Sequence, residues 1–177
     1  MTTKRVSWKV LAIGGAVLLP LLFVLGAGFF MDPHAMPSPL VEKAAPPFDL
    51  ARYDTGERIA MADLSGKPVV LNFWATWCVT CRYEHPLMVQ AERIYGDRVQ
   101  FVGIAYQDRS DAIDAWLKKH GGSTYPTVVD VGGKTSIAYG IYAVPETFFI
   151  TAEGVIQYKR TGAIDGETLK RELDRLL

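Results

Sequence analysis

From Val10 to Phe30 the chain runs 21 residues without a charged side chain, and this run divides what can fold in water from what cannot. As a helix rising about 1.5 Å per residue it would span roughly 30 Å, the thickness of a bilayer's hydrocarbon core. Lys4, Arg5 and Lys9 precede the run and Asp32 follows it. The positive-inside rule therefore predicts a cytoplasmic N-terminus over residues 1–9, a transmembrane signal anchor over 10–30, and everything beyond on the far side of the membrane. A cleaved signal peptide is the rival reading, because Gly26, Ala27 and Gly28 offer small residues near a cleavage point. The apolar region of such peptides usually runs only about 7 to 15 residues, which favours the anchor.

Beyond the run, five prolines (Pro33, Pro37, Pro39, Pro46, Pro47) among small and polar residues read as an extended tether over 31–47. Residues 48–177 are left for one compact domain. Nineteen basic and nineteen acidic residues balance over the chain, but three of the basic ones precede residue 10. The remainder holds sixteen against nineteen, a net of minus three, so a nucleic-acid partner is not expected.

Within the domain, hydrophobic patterning predicts an α/β order. Phe48–Leu50 and a segment near Ile59 form an opening strand pair. Val69-Val70-Leu71-Asn72-Phe73-Trp74 is almost wholly apolar and β-prone, as a central strand buried on both faces must be. A helical pattern follows from Trp77 to about Tyr95 with Pro86 inside it, where a kink is expected. Val99–Ala105 reads as a second buried strand, then a helix capped by Asp111 and stopped near His120 by Gly121 and Gly122, then a short strand over Thr127–Val131. A hairpin around Glu153-Gly154 and a last helix capped by Asp165, with Leu169, Leu173 and Leu176 at helical spacing, complete the chain.

The chemistry lies in Trp77-Cys78-Val79-Thr80-Cys81, which holds both of the chain's cysteines. Two residues apart, they close too short a loop to restrict the unfolded chain much, so reversible redox chemistry explains them better than a structural bridge. Where a buried strand gives way to a helix, Cys78 is expected in the first turn, its sulfur near unpaired N–H groups and the positive end of the helix dipole. That lowers its pKa. Cys78 is then the attacking sulfur, and Cys81, a turn further in, resolves the mixed disulfide.

Other users of this spacing fit less well. A c-type haem site needs His after the second cysteine, and residue 82 is Arg. A zinc or copper site could draw on His85, four residues after Cys81, but only His34 and His120 remain to complete it. We therefore expect no bound metal and no cofactor beyond the dithiol itself.

The segment W-A-T-W-C-V-T-C, preceded by V-V-L-N-F and followed by Val144-Pro145, resembles the thioredoxin superfamily, which implies a thioredoxin-like α/β fold with a central mixed sheet flanked by helices. Cys81-Arg82-Tyr83-Glu84-His85-Pro86 and Gly140 to Phe148 are similar to the matching segments of the CcmG/DsbE proteins, anchored thioredoxin-like reductases of cytochrome c maturation. The similarity covers about residues 40 to 177. It implies a cis Val144-Pro145 bond facing the cysteines, a Val144 backbone that pairs with a partner's extended chain, and a Pro145 that keeps metals off the dithiol. It also implies an acidic site: Glu84 and Glu146 join Cys78 and Cys81 in catalysis, while Trp77, Tyr142, Val144 and Pro145 contact the substrate. Val79 departs from the family, many members of which carry Pro there.

A physical argument supports Glu84. Thioredoxins keep a buried Asp in the strand before the cysteines to manage the resolving thiol's proton, and that position here is Asn72. Glu84, three residues beyond Cys81, shares its helical face, and a partly buried carboxyl there would have a raised pKa suited to proton transfer.

The expected function is that of a protein-disulfide reductase at the bacterial inner membrane, single-pass, with its domain in the periplasm. Electrons would arrive from a membrane thiol-electron transporter and pass to the oxidised C-x-x-C-H motif of apocytochrome c, or to its maturation partners, before haem attachment. Haem can be joined only to free thiols, which that compartment tends to oxidise. The alternatives are an anchored reductase serving copper-protein assembly or another client, and a metal-binding chaperone, although related chaperones space their cysteines by three. A peroxiredoxin would need Thr or Ser three residues before its reactive cysteine, where this chain has Ala75.

Overall fold

The computed structural model describes residues 8–29 and 38–177, and its chain divides into two units, Met1–Met36 and Pro37–Leu177. In the first, helix α1 covers Trp8–Phe29 over 22 residues with Pro20 inside. Among the described residues, no helix is long and apolar enough to cross a membrane. Residues 1–7, most of the expected cytoplasmic terminus, and residues 31–37 of the expected tether lie outside the described residues.

The second unit is built on a five-stranded mixed sheet in the order β5-β4-β3-β6-β7, made of β3 (Val69–Trp74), β4 (Gln100–Tyr106), β5 (Thr127–Asp130), β6 (Glu146–Ile150) and β7 (Ile156–Thr161). β3 runs parallel to β4, and β4 to β5, whereas β6 lies antiparallel to both β3 and β7. All six residues of β3 are buried, as its almost wholly apolar run requires of a strand with neighbours on both sides and layers on both faces. The expected opening pair is a separate two-stranded ladder of β1 (Asp49–Ala51) and β2 (Arg58–Ala60).

Alternation along the strands sorts side chains onto two faces. Leu71, Phe73, Phe148 and Ile150 pack on one face with Phe48, Leu64 and Tyr139. Val70 and Phe149 pack on the other with Met88, Leu169 and Leu173, which come from α2 (Cys81–Tyr95) and α5 (Gly166–Leu176). Each such side chain stabilises the fold by roughly 1.5–3 kcal/mol when fully buried. The third helix, α3 (Ser110–Lys119), sends Ile113 and Leu117 against Trp74, Ala75 and both cysteines. The short α4 (Lys134–Ala138) was not legible in the sequence.

Two local expectations need correction. Asp111 does not cap α3: the cap position is Arg109, whose guanidinium holds the Asp111 carboxylate at 2.8 Å. Gly121 does stand where α3 ends, at a φ of 93° that favours glycine, and the Gly122 N–H returns to the Leu117 carbonyl at 2.8 Å. The end of the expected tether, residues 38–47, is not extended free chain. The Glu42 and Ala45 N–H groups donate to the Ile156 and Gly154 carbonyls, each at 2.8 Å, and Leu40, Val41 and Ala45 pack against the core. The opposite edge is also occupied, by the Tyr53 N–H on the Thr127 carbonyl at 3.1 Å. Apolar side chains bring both segments onto the sheet, and they cover backbone that would otherwise invite another chain.

Candidate functional site

At the carboxyl end of β3 the chain turns through residues 75–80 before α2 begins at Cys81, so Cys78 stands just before the helix rather than in its first turn as expected. That position favours the thiolate. Thr80, at the cap position, makes no side-chain capping bond, and the Cys81 N–H instead points at the Cys78 sulfur, 3.1 Å away. Cys78 Sγ thereby takes the place of a capping oxygen at the positive end of the helix dipole, where negative charge is stabilised. The turn itself is held from outside: the Thr76 N–H and hydroxyl donate to the two Asp108 carboxylate oxygens at 2.6 and 3.1 Å.

Cys78 and Cys81 form a disulfide. They are 6% and 2% exposed, so attack from solvent is directed to the Cys78 side, flanked by the exposed Trp77 and Val79. The Val144-Pro145 bond is cis, in keeping with the resemblance, and the Val144 carbonyl oxygen lies 3.5 Å from Cys78 Sγ. Tyr142, two residues earlier, is exposed. The fold thus brings Trp77, Cys78, Cys81, Val144 and Pro145 together from two distant stretches of chain.

The two carboxylates are not together. Asn72 pairs with Thr147 across β3 and β6, and Phe73 pairs with Glu146, so successive side chains put Glu146 on the face opposite Asn72. Glu84, on α2, lies on the Asn72 face and is 2% exposed. It accepts from Asn72 Nδ2 at 2.8 Å and from the Ile164 N–H at 3.0 Å. Burial outweighs those two bonds and pushes its pKa up to about 7. The expectation of one acidic site holding both residues is therefore corrected to two separate acids, one in each layer.

Glu146 is 0% exposed. Its oxygens have no well-aligned hydrogen-bond donor among the described residues. Their counter-ion is Lys159, whose Nζ is 2.6 Å from Oε2 and whose side chain is 8% exposed. Burial raises the Glu146 pKa and the ammonium opposes it. Lys159 also donates to the Gly140 carbonyl at 3.3 Å and sits 5.1 Å from the Phe148 ring centre, tying β7 to the loop that carries Tyr142 and Val144. Sequence reading missed Lys159. Its only signal is its position two residues from Thr161, the partner of Glu146, which requires the register to be known.

His85, the residue weighed for metal binding, directs Nε2 to the Gly122 carbonyl at 2.8 Å; a carbonyl only accepts, so Nε2 carries the hydrogen. Its ring and that of His120 both rest on Trp116, with centroids 5.0 and 4.2 Å away.

The model of the AhpC/TSA family matches residues 41–159. The thiol:disulfide interchange protein DsbE of Pseudomonas fluorescens biotype C is 36% identical over 158 residues, covering 89% of this chain and 87% of that protein. The DsbE protein of Escherichia coli K12 is 35% identical over 147 residues, covering 82% and 78%. Among solved structures, a secreted Mycobacterium tuberculosis disulfide oxidoreductase homologous to Escherichia coli DsbE superposes with a TM-score of 0.66 at 27% identity, covering 73% of this chain and 96% of that one. A thioredoxin-family thiol:disulfide interchange protein from Chlorobium tepidum gives 0.67 at 29% identity, with 80% and 97% covered. The chain belongs to the AhpC/TSA family and, within it, to the DsbE-type thiol:disulfide interchange proteins: it is a thioredoxin-like disulfide oxidoreductase whose redox pair is Cys78 and Cys81.

Proposed function

We propose that the protein works as a reductant, delivering two electrons to the C-x-x-C-H disulfide of apocytochrome c, or of the proteins that mature it, before haem is attached. The observation that carries this reading is the Cys78 sulfur, which accepts from the Cys81 N–H at 3.1 Å and lies 3.5 Å from the Val144 carbonyl oxygen, at a surface edged by the exposed Trp77, Val79 and Tyr142. Such a surface accepts an extended protein segment rather than a small molecule, its apolar rim supplying contact area and the Val144 carbonyl a backbone partner.

In the reduced protein, the Cys78 thiolate attacks one sulfur of the client disulfide. That S–S bond breaks, a client thiolate leaves, and a mixed disulfide forms. Cys81 then loses its proton and attacks Cys78 Sγ. The bond between Cys78 and the client breaks, releasing the second client thiolate, and the Cys78–Cys81 disulfide remains. Client and protein exchange two electrons, and the described disulfide is the end state awaiting reduction. Glu84 is the residue on the Cys81 helix face suited to hold that proton near neutral pH. Glu146, paired with Lys159, supports the Val144-Pro145 loop from behind. No bound cofactor or metal takes part.

Residues 10–30 serve as an uncleaved anchor in the inner membrane, and a membrane thiol-electron transporter returns the dithiol to its reduced form in the periplasm. The uncharged run and the basic residues before it support this placement.

The test is a trapping and a potential. Replacing Cys81 with Ser should accumulate a mixed disulfide between Cys78 and an oxidised C-x-x-C-H peptide, seen by non-reducing mass analysis. A reduction potential near thioredoxin's, about −270 mV, or slightly above it fits a reductant. A value near about −120 mV would make the protein an oxidant and reverse the proposed electron flow.

A further inference from the structure

Beside Cys78, on the flank formed by α2 and α3, lies an open groove of about 210 Å³ lined by Trp77, Cys78, Arg82, Trp116, Lys119 and His120. Its aromatic wall is built: Trp116 rests on Trp74 with ring centres 4.8 Å apart and carries His120 at 4.2 Å. His120 Nδ1 is tied to the Trp116 carbonyl at 2.7 Å, which holds the imidazole in the groove.

The charge of this groove runs against that of its surroundings. Beyond residue 9 the chain is net negative, sixteen basic against nineteen acidic residues, yet besides the reactive Cys78 the ionisable side chains lining the groove are Arg82, Lys119 and His120. Neighbouring cations are neutralised, Lys118 by Asp114 at 2.7 Å and Arg109 by Asp111 at 2.8 Å. Arg82 and Lys119 form no ion pair among the described residues; Arg82 contacts Tyr83 alone, its guanidinium 5.4 Å from the ring centre and 3.5 Å from the hydroxyl, neither of which neutralises its charge. The Asp108 carboxylate is held away from Arg82 and Lys119 by bonds to Thr76 and to the Arg109 N–H.

We infer that this groove is a subsite for a carboxylate carried next to the disulfide of the protein client, with Arg82 and Lys119 as its charge partners and Trp77 and Trp116 as its walls. The inference rests on the disulfide-exchange function proposed above and adds which clients are preferred. Two unpaired cations at the reactive sulfur attract an acidic neighbour of the client cysteine during encounter and repel a basic one. Peptide is the favoured source of that carboxylate because the groove adjoins the apolar rim and the Val144 carbonyl, which suit a chain continuing on both sides of the sulfur.

The experiment uses the reduced full-length chain in detergent micelles and cyclic C-x-x-C disulfide peptides that differ only in carrying Glu, Gln or Lys on both sides of the cysteines. Second-order reduction rates are read by acid quench and alkylation, with 2-hydroxyethyl disulfide and glutathione disulfide alongside. We expect Glu peptides to react about three- to tenfold faster than Gln peptides at low salt, and Lys peptides more slowly. The Glu-to-Gln ratio should approach one at high salt and in an R82Q/K119Q variant. Because each ratio is taken within one protein, any change in the sulfur chemistry of the variant cancels. Equal rates for Glu and Gln peptides in the unaltered chain, or an undiminished ratio in the variant, overturn the inference while leaving the exchange function standing. A charge effect on glutathione disulfide with none on the peptides overturns it in favour of a small anionic ligand. Failure to reduce any disulfide, 2-hydroxyethyl disulfide included, overturns the underlying function and the inference together.

Discussion

The side-chain amide of Asn72 donates to a carboxylate oxygen of Glu84 at 2.8 Å, so the residue that replaces an acid in the central strand is the one that holds an acid on the helix. Asn72 Nδ2 also reaches the Thr147 hydroxyl at 3.1 Å. One side chain thus links β3, α2 and β6 beneath the cysteines, and an Asp there would face Glu84 with a like charge instead of a donor.

The raised Glu84 pKa carries a direction for stability. With an ordinary value of 4.5 and a folded value of about 7, the native state binds the extra proton between those limits. The resulting stability is fully present below about pH 4.5 and is lost as pH rises through 7. The shift corresponds to at most about 3 kcal/mol. We expect Glu84→Gln to flatten the fall in unfolding free energy between pH 5 and 8 by roughly 2–3 kcal/mol. Its absolute stability at pH 5 should be lower, because an amide offers one acceptor where the carboxyl faces two donors. Urea unfolding across pH reads both; an unchanged slope would show that another group titrates.

Glu146 and Lys159 provide a test of the opposite layer. Lys159→Met leaves a fully buried carboxylate without its counter-ion and should cost about 3–5 kcal/mol. Adding Glu146→Gln to Lys159→Met should recover much of that loss, since the uncompensated charge is then gone. A double-mutant cycle by denaturant unfolding measures the coupling, and additive losses would mean the 2.6 Å contact carries no net energy.

Cys78 should be the more reactive thiol. With the Cys81 N–H aimed at its sulfur, its thiolate should form below the free-cysteine pKa of about 8.5. Iodoacetamide labelling of the reduced chain, mapped by mass spectrometry at pH 6 to 9, should modify Cys78 first and reach its plateau rate at lower pH. Equal labelling of both cysteines would contradict the assignment of attacking and resolving roles.

The Thr76–Asp108 contact anchors the turn that presents Cys78. Asp108→Ala removes a carboxylate bound to two donors of Thr76 and should destabilise the domain by about 1–3 kcal/mol. Asp108→Asn should cost less, because its one carbonyl oxygen keeps one of these bonds. If neither change alters thermal unfolding, the turn is held by packing alone.

What the sequence by itself determined were the features set by short-range rules. The largely apolar run Val69–Trp74 pointed to a central strand, Asp165 could cap α5 through Thr168, and two cysteines three positions apart after a strand favoured disulfide exchange over a metal site that lacks ligands. Asp111 misled because a charged neighbour, Arg109, competed for its carboxylate. The rest was decided by tertiary structure. Sequence spacing says that Glu84 and Glu146 are acidic residues near a redox motif, but the β3–β6 register sets them on opposite faces, the packing of α2 puts one with Asn72, and the β6–β7 pairing puts the other with Lys159. Likewise Trp116 and Lys119 meet Arg82 only because α3 packs beside α2. Period and local hydrogen bonding act over a few residues, whereas the side of a sheet on which a charge is buried depends on strand pairings made between residues more than seventy positions apart.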